Sequence, residues 1–133
     1  MTRKVSYAGA RKKGAAYQRE IANRWRDSGL WPLAQSSIAQ SRGGASEPDV
    51  IGTGEHWHEL KHNKNITPLA ALRQAENNIS AWYEKHGAGI VDWRAFAVCR
   101  QNRMGDVVMM RLETYEELVA IKHVFLTSKG VVA

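Results

Sequence analysis

The chain has 133 residues, which is enough for one domain and too few for a second substantial core. Its 44% hydrophobic and 24% charged residues are typical of a soluble globular protein. No apolar run reaches the roughly 18 residues that a membrane-spanning helix needs, so a membrane protein is not expected. The net charge of +6 favours an anionic partner, and nucleic acid is the commonest one.

The N-terminus is basic but lacks the apolar stretch of a secretory signal, and a single cysteine, Cys99, excludes an internal disulfide. We therefore expect a cytoplasmic protein, at the nucleoid or, if phage-encoded, in the host cytoplasm. Residues 1–12 show no apolar periodicity and are predicted to form a flexible basic arm before a single domain over 13–133. Apolar residues then recur at helical spacing from Lys13 to Ser28 and Gly29 follows, which predicts an amphipathic helix.

The remaining elements follow from the strand period of two and the helix period of 3.6. The predicted strands are Leu30–Ser36, Asp49–Gly52, His56–His62, Trp93–Arg100 and Val107–Arg111. The second predicted helix begins at Pro68, after Thr67 as a candidate N-cap, and ends at His86, and the last covers Thr114–Val124. This order of helix, three strands, helix, two strands and helix predicts a mixed α/β sheet flanked by helices.

Residues that carry chemistry cluster on the second and third predicted strands. Glu59 and Lys61 project from the same face of a strand because side chains alternate between the two faces. Asp49 opens the preceding strand, and pairing of the two strands as a hairpin would bring its carboxylate near Glu59. Two adjacent carboxylates, with the Leu60 carbonyl, suit Mg²⁺, which prefers oxygen ligands and retained waters. Lys61 would then orient the attacking water or stabilise the charge that develops.

The sequences Pro48-Asp49 and Glu59-Leu60-Lys61 resemble the motif of the PD-(D/E)xK nuclease superfamily. The resemblance implies a restriction-endonuclease-like αβββαβ core in which Asp49, Glu59 and Lys61 are catalytic. It also implies Mg²⁺ as the cofactor, with Mn²⁺ as a substitute. Glu20, in the first helix, matches the position at which many members carry a further carboxylate for the metal.

Within that superfamily the chain is similar to the archaeal-type and phage Holliday junction resolvases. The similarity covers roughly residues 11–85 and rests on Lys13-Gly14 through Glu20, Ser36-Ser37, Arg42-Gly43 and the two motifs above. It implies a homodimer that binds branched DNA and cuts four-way junctions, with Ser36 or Ser37 near the scissile phosphate. The basic residues expected to contact DNA are Arg11, Lys12, Lys13, Arg19 and Arg42.

Other readings of these residues stay open. The same fold could serve a restriction-like or fork-nicking nuclease, and the basic surface alone could belong to a non-catalytic DNA-binding module. An RNA-binding accessory protein is disfavoured because no aromatic RNA-recognition motif is present. The resemblance to resolvases implies a role in DNA recombination and DNA repair.

Several residues have more than one interpretation at this stage. His56, His58 and His62 share the strand face opposite Glu59, which indicates a half-exposed face or a phosphate-binding surface rather than a zinc site. Gln74 is either an exposed helix residue or an assistant to the site. Trp82 and Tyr83 are candidates for a dimer interface.

Overall fold

The structure is a computed structural model that describes residues 7–37, 47–65, 67–101 and 104–130. Its three helices are α1 (Tyr7–Asp27), α2 (Pro68–His86) and α3 (Leu112–Ser128). Its strands are β1 (Gln35–Ser36), β2 (Val50–Ile51), β3 (His56–Asn63), β4 (Arg94–Gln101) and β5 (Gly105–Met109). The predicted order of elements and the α/β class are confirmed.

One five-stranded mixed sheet organises the molecule, with the spatial order β1-β2-β3-β4-β5. β3 and β4 are parallel and every other neighbouring pair is antiparallel. A parallel pair needs a long crossover, and α2 provides it between β3 and β4. The β3 strand is therefore the central strand of the sheet, with a neighbouring strand on each edge. Its position holds Glu59 and Lys61 in place.

The two faces of β3 are covered by different helices. Leu60 and Val98 pack with Tyr17 and Ile21 of α1 on one face. Trp57 packs with Ala75 and Ile79 of α2 on the other face. Because side chains alternate along a strand, Glu59 and Lys61 belong to the α2 face.

Two predicted boundaries were wrong by several residues. The first helix starts at Tyr7 rather than Lys13, so residues 7–12 are helical and not part of an arm. The strand predicted over Leu30–Ser36 is limited to two residues, because the chain turns before Ala34, whose N–H donates to the Trp31 carbonyl. Pro32 lies within that turn, where its lack of an N–H is tolerated.

The other boundaries moved by a few residues. β2 is Val50–Ile51, so Asp49 precedes the strand instead of opening it. Thr67 occupies the N-cap position of α2, but its side chain makes no capping hydrogen bond. No helix in the ranges described above is long and apolar enough to cross a membrane.

Candidate active site

The hairpin of β2 and β3 brings Asp49 to the middle of β3. Val50 lies opposite His58, and the Asp49 N–H donates to the His58 carbonyl at 3.1 Å. The Asp49 side chain then accepts a hydrogen bond at Oδ2 from the Leu60 N–H, at 2.7 Å. The Asp49 carboxylate thus replaces the backbone carbonyl that would otherwise accept from the Leu60 N–H in the β2–β3 pairing. Asp49 is only 3% exposed. Asp49 is thus fixed by the backbone on both sides.

Glu59 and Lys61 lie on the α2 face, as the strand period predicts. Glu59 is 3% exposed, and its Oε1 lies 3.8 Å from Lys61 Nζ. The other carboxylate oxygen, Oε2, accepts from Asn78 Nδ2 of α2 at 3.5 Å. One carboxylate oxygen of Glu59 therefore faces the Lys61 ammonium group, and the other faces the Asn78 amide of α2.

Burial makes the charged forms of both carboxyls unfavourable. It is the largest cause that raises the pKa of Asp49, and the Leu60 N–H and the Lys61 charge offset it only in part. Burial also raises the pKa of Glu59, and the negative charge of Asp49 raises it further. Lys61 and Asn78 oppose this shift without cancelling it. Groups that repel each other in a buried pocket gain most from a cation between them.

The donor set at this pocket fits a hard divalent cation. Asp49 and Glu59 supply carboxylate oxygens. In a strand the N–H and C=O of one residue point to the same edge, so the Leu60 carbonyl also faces the edge that holds Asp49. An all-oxygen set with two carboxylates suits Mg²⁺. Within the described residues, no group of three or more His, Cys, Asp or Glu side chains is arranged to hold a metal.

The structure distinguishes Ser36 from Ser37. Ser37 is buried, its N–H donates to the Asp49 carbonyl at 2.9 Å, and its hydroxyl donates to Glu47 Oε2 at 2.7 Å. Ser36 lies opposite Val50 in the β1–β2 ladder. Ser37 is therefore the serine that supports the backbone of the Asp49 segment.

Glu20 is not brought together with Asp49 and Glu59. It lies on α1 and forms an ion pair with Arg100 of β4, which lowers the pKa of Glu20. Arg100 also pairs with Asp106 at 2.8 Å. Because α1 covers the sheet face opposite to Glu59, the predicted metal role of Glu20 has no geometric support here, and its side chain serves an ion-pair network instead.

The predicted DNA-contacting residues are only partly within the described structure. Lys12 and Arg19 are exposed on α1, and Lys13 is half-buried near His62. The side chain of Arg11 and the whole of Arg42 lie outside the described residues. The described members of this predicted set, Lys12, Lys13 and Arg19, thus lie on α1, across the sheet from the two carboxylates.

The histidine face of β3 was predicted to be half-exposed or phosphate-binding; His56 and His62 are half-exposed, whereas His58 is buried. His58 is buried against the Trp25 ring at a centroid distance of 4.6 Å, and its Nδ1 lies 3.2 Å from the Thr53 hydroxyl. Burial lowers the pKa of His58 to about 3, so the ring is neutral at physiological pH. His56 stacks on Phe96 at 4.5 Å. The His58 ring is therefore a core side chain under α1, and the half-buried His56 ring packs at its edge.

Trp82 and Tyr83, the candidates for a dimer interface, are used within the protomer. The Trp82 ring packs edge-on against Trp93 at 5.5 Å. The Tyr83 hydroxyl donates to the Val91 carbonyl and accepts from the Trp93 N–H. They join the end of α2 to the start of β4.

Asn78 is the residue of this site that sequence reasoning missed. In the sequence, Asn78 is marked only by its position one helical turn after Gln74, which was considered as a possible assistant to the site. α2 runs antiparallel to β3, since Ala71 and Leu72 pack near Cys99 and Ile79 packs near Trp57. Gln74 lies one helical turn before Asn78, and Lys61 lies two residues after Glu59 on β3. Because the two elements are antiparallel, Gln74 is level with Lys61.

We expect Asn78→Ala to move the pH dependence of metal binding upward. The Asn78 donor is one of the contacts that lower the pKa of Glu59, so its loss raises that pKa further. The Mg²⁺-induced rise in melting temperature, measured from pH 5 to 9, should then begin at a higher pH than in the parent. Asn77→Ala is the matched control, because Asn77 is exposed on the same helix. Identical pH profiles for both variants would remove Asn78 from the site.

Comparison with known proteins gives no indication of function, so the assignment rests on the geometry of the site. No family model, no curated protein and no solved structure matches this chain.

Proposed function

We propose that the protein is a metal-dependent endonuclease of the PD-(D/E)xK type that hydrolyses phosphodiester bonds in DNA, with Mg²⁺ as its cofactor and Mn²⁺ as a substitute. The observation that carries the proposal is the buried pair of Asp49 and Glu59 beside Lys61. Two buried carboxylates that repel each other destabilise the folded protein. Such a pair has no use in a protein that lacks catalysis and only binds DNA. It becomes favourable when a cation is held between the two carboxylates.

The residues of the pocket have distinct parts in the proposed reaction. Asp49, Glu59 and the Leu60 carbonyl would hold the ion, which supplies positive charge for phosphate oxygens and acidifies water. Lys61 would orient the attacking water and offset the extra negative charge on the phosphate in the transition state. Water adds to phosphorus, the bond to one ester oxygen breaks, and the products are a phosphate monoester and a hydroxyl.

Asn78 and the backbone supply positioning in this scheme. The Asn78 amide and the Leu60 N–H each fix one carboxylate. A carboxylate held by the protein does not need to reorganise when the substrate arrives, which is what makes such sites effective.

A four-way DNA junction is the substrate that the resemblance to resolvases favours, with a homodimer cutting the two strands in symmetry. The net charge of +6 supports a polyanionic substrate, and the exposed Lys12 and Arg19 lie on α1, across the sheet from the two carboxylates. A nuclease of the same fold that cuts other DNA, or a DNA-binding module without catalysis, remains the alternative that the experiment below separates.

The test is cleavage of a labelled four-way junction and of a linear duplex with the same sequence, with Mg²⁺ and with EDTA. We expect paired nicks in the junction alone, in Mg²⁺ alone. Asp49→Asn, which keeps an acceptor for the Leu60 N–H, should remove the activity and so exclude a contaminating nuclease. Equal cutting of both substrates would overturn the junction preference. Tight binding without cutting of either substrate would overturn catalysis.

A further inference from the structure

One side of α2 borders the pocket that contains Glu59, and the residues described on that side are all uncharged or basic. Asn78 identifies this side, because its amide contacts the Glu59 carboxylate. Four residues follow one another at spacings of four, three and four along α2, so they share this side. They are Gln74, Asn78, Ala81 and Lys85. Asn78 is half-buried and the other three are exposed, so the side is open to a partner.

The two flanks of the pocket differ in charge. The acidic residues of α2, Glu76 and Glu84, lie on its other sides. On the flank formed by β1, β2 and the described residues next to them, the charged side chains are Glu47 and Asp49. Once an ion neutralises Asp49, Glu47 still opposes a polyanion on that flank. A phosphate chain that enters the pocket is therefore favoured on the α2 flank.

Lys85 is the cation on this side of α2, and within the described residues it makes no ion pair. Acidic partners along a helix lie three or four positions away, and none of those positions is acidic here. They hold Ala81, Trp82, Ala88 and Gly89. The arginines of β4 and the one before α3 are paired by contrast, namely Arg94, Arg100 and Arg111. Lys85 is therefore available to an anion from outside the chain.

The position of Lys85 along α2 suits a second phosphate of the strand that enters the pocket. Lys85 comes seven residues after Asn78, which corresponds to about 11 Å of helix. Successive phosphates of one strand are about 3.4 Å apart along the axis of a duplex, so this distance spans about three nucleotides. Because α2 is antiparallel to β3, Lys85 and Lys61 lie on opposite sides of Glu59.

We propose that the strand to be cut lies along this side of α2, where Lys85 binds a phosphate about three nucleotides from the one that is hydrolysed. This inference rests on the proposed function and extends it, because it places substrate binding on α2. Lys85 is then a positioning residue, which holds the strand while Lys61 and the ion act on the scissile phosphate. Lys12 and Arg19 lie across the sheet and are not expected to contact the same stretch of strand.

Binding in the absence of metal tests the role of Lys85 without cleavage. A labelled four-way junction is titrated with the whole protein in EDTA at several salt concentrations, and its fluorescence anisotropy gives the Kd. We expect Lys85→Gln to raise the Kd by about 5- to 10-fold at about 0.1 M salt. The slope of log affinity against log salt should fall by about 1. Lys85→Arg keeps the charge and should bind like the parent.

Arg73→Gln is the matched control, because it removes the same charge from another side of α2. Arg73 is exposed, as Lys85 is, and its spacing from Asn78 places it away from the pocket. The control should change neither the Kd nor the salt slope. Lys85 also lies in the last turn of α2, where a cation stabilises the helix dipole. Loss of that contribution would lower the melting temperature of Lys85→Gln but would not change the salt slope of DNA binding.

Cleavage of the junction in Mg²⁺ gives a second readout. Lys85→Gln should raise KM more than it lowers kcat, because Lys85 binds the strand at a distance from the reacting phosphate. An unchanged Kd and salt slope in Lys85→Gln, or an equal loss in Arg73→Gln, would overturn the role of Lys85 and leave the proposed active site intact. A parent that neither binds nor cleaves DNA would overturn both proposals.

Discussion

Glu59→Gln is expected to abolish Mg²⁺-dependent cleavage and, at the same time, to stabilise the metal-free protein above neutral pH. Glutamine has nearly the shape of glutamate but carries no charge to hold the ion, so cleavage should fall by at least about 100-fold. The Mg²⁺-induced rise in melting temperature should be lost with it. This second measurement reports on metal binding without depending on DNA.

The gain in stability follows from the raised pKa of Glu59. The folded protein keeps a proton on this carboxyl that the unfolded chain releases above its ordinary pKa of 4.5. Stability from this group is therefore complete below that value and is lost as pH rises through the raised pKa. Glutamine removes the loss, which should add on the order of 1–2 kcal/mol to the free energy of unfolding at pH 8.

Urea unfolding at pH 5 and pH 8, without metal, measures that gain. The variant and the parent should differ at pH 8 and much less at pH 5. Glu84→Gln, at an exposed position of α2, is the control and should change neither stability nor cleavage. Loss of stability in Glu59→Gln at pH 8 would mean that the carboxylate is already compensated, and the case for a cation between Asp49 and Glu59 would fail.

Gly52→Ala should destabilise the fold by about 3 kcal/mol or more. Gly52 has a φ of 80°, in the left-handed region that disfavours residues with a side chain. A Cβ at this position would lie 2.1 Å from the Leu33 carbonyl oxygen, a backbone atom that cannot move aside cheaply. Since Asp49 directly precedes β2, displacement of this strand should also weaken the response of the melting temperature to Mg²⁺.

Gly54→Ala gives a matched control for this prediction. Gly54 has a φ of 62° in the same turn, and a Cβ there would meet only Trp31 ring carbons, the nearest at 3.6 Å. Gly54→Ala should lower the free energy of unfolding by about 1 kcal/mol, which is the cost of a side chain in the left-handed conformation. Urea unfolding of both variants measures the difference. Equal stabilities would show that the approach of Gly52 to Leu33 is not a constraint on the fold.

The sequence predicted the order of elements well because the long elements have clear periods and clear ends. The helix of α2 is bracketed by Pro68 and Gly87, and the strand period of β3 correctly placed Glu59 and Lys61 on one face. The short strands were less accurate. β1 and β2 have two residues each, so their limits are set by pairing with neighbours and by the approach of Gly52 to Leu33, which no local pattern reveals.

The histidines of β3 show why the environment of a residue is harder to predict than its face. Alternation placed His58 opposite Glu59 correctly, but its polarity suggested exposure. The structure buries the ring between Trp25 and Phe96 and supplies Thr53 as its polar partner. Burial of a neutral histidine costs little once one ring nitrogen has a hydrogen-bond partner, and that partner comes from the turn before β3.

The role of Asn78 and the position of Glu20 depend on long-range packing and were beyond the sequence for that reason. Asn78 reaches Glu59 only because α2 crosses β3 in an antiparallel direction, which follows from the parallel β3–β4 connection. Glu20 was assigned to the metal through resemblance, whereas its actual partner, Arg100, lies 80 positions further along the chain.

The contact between Tyr17 and Asp106 has a consequence for how the chain folds as it is synthesised. The Tyr17 hydroxyl donates to Asp106 Oδ1 at 3.0 Å across 89 positions, and Arg100 lies over the same ring at 4.8 Å. α1 is made before β4 and β5, whose Val98, Arg100 and Asp106 complete the surface begun by Leu60 of β3. Tyr17 and Ile21 are fully covered only once β5 has been made, so the domain is expected to fold in one step after that point.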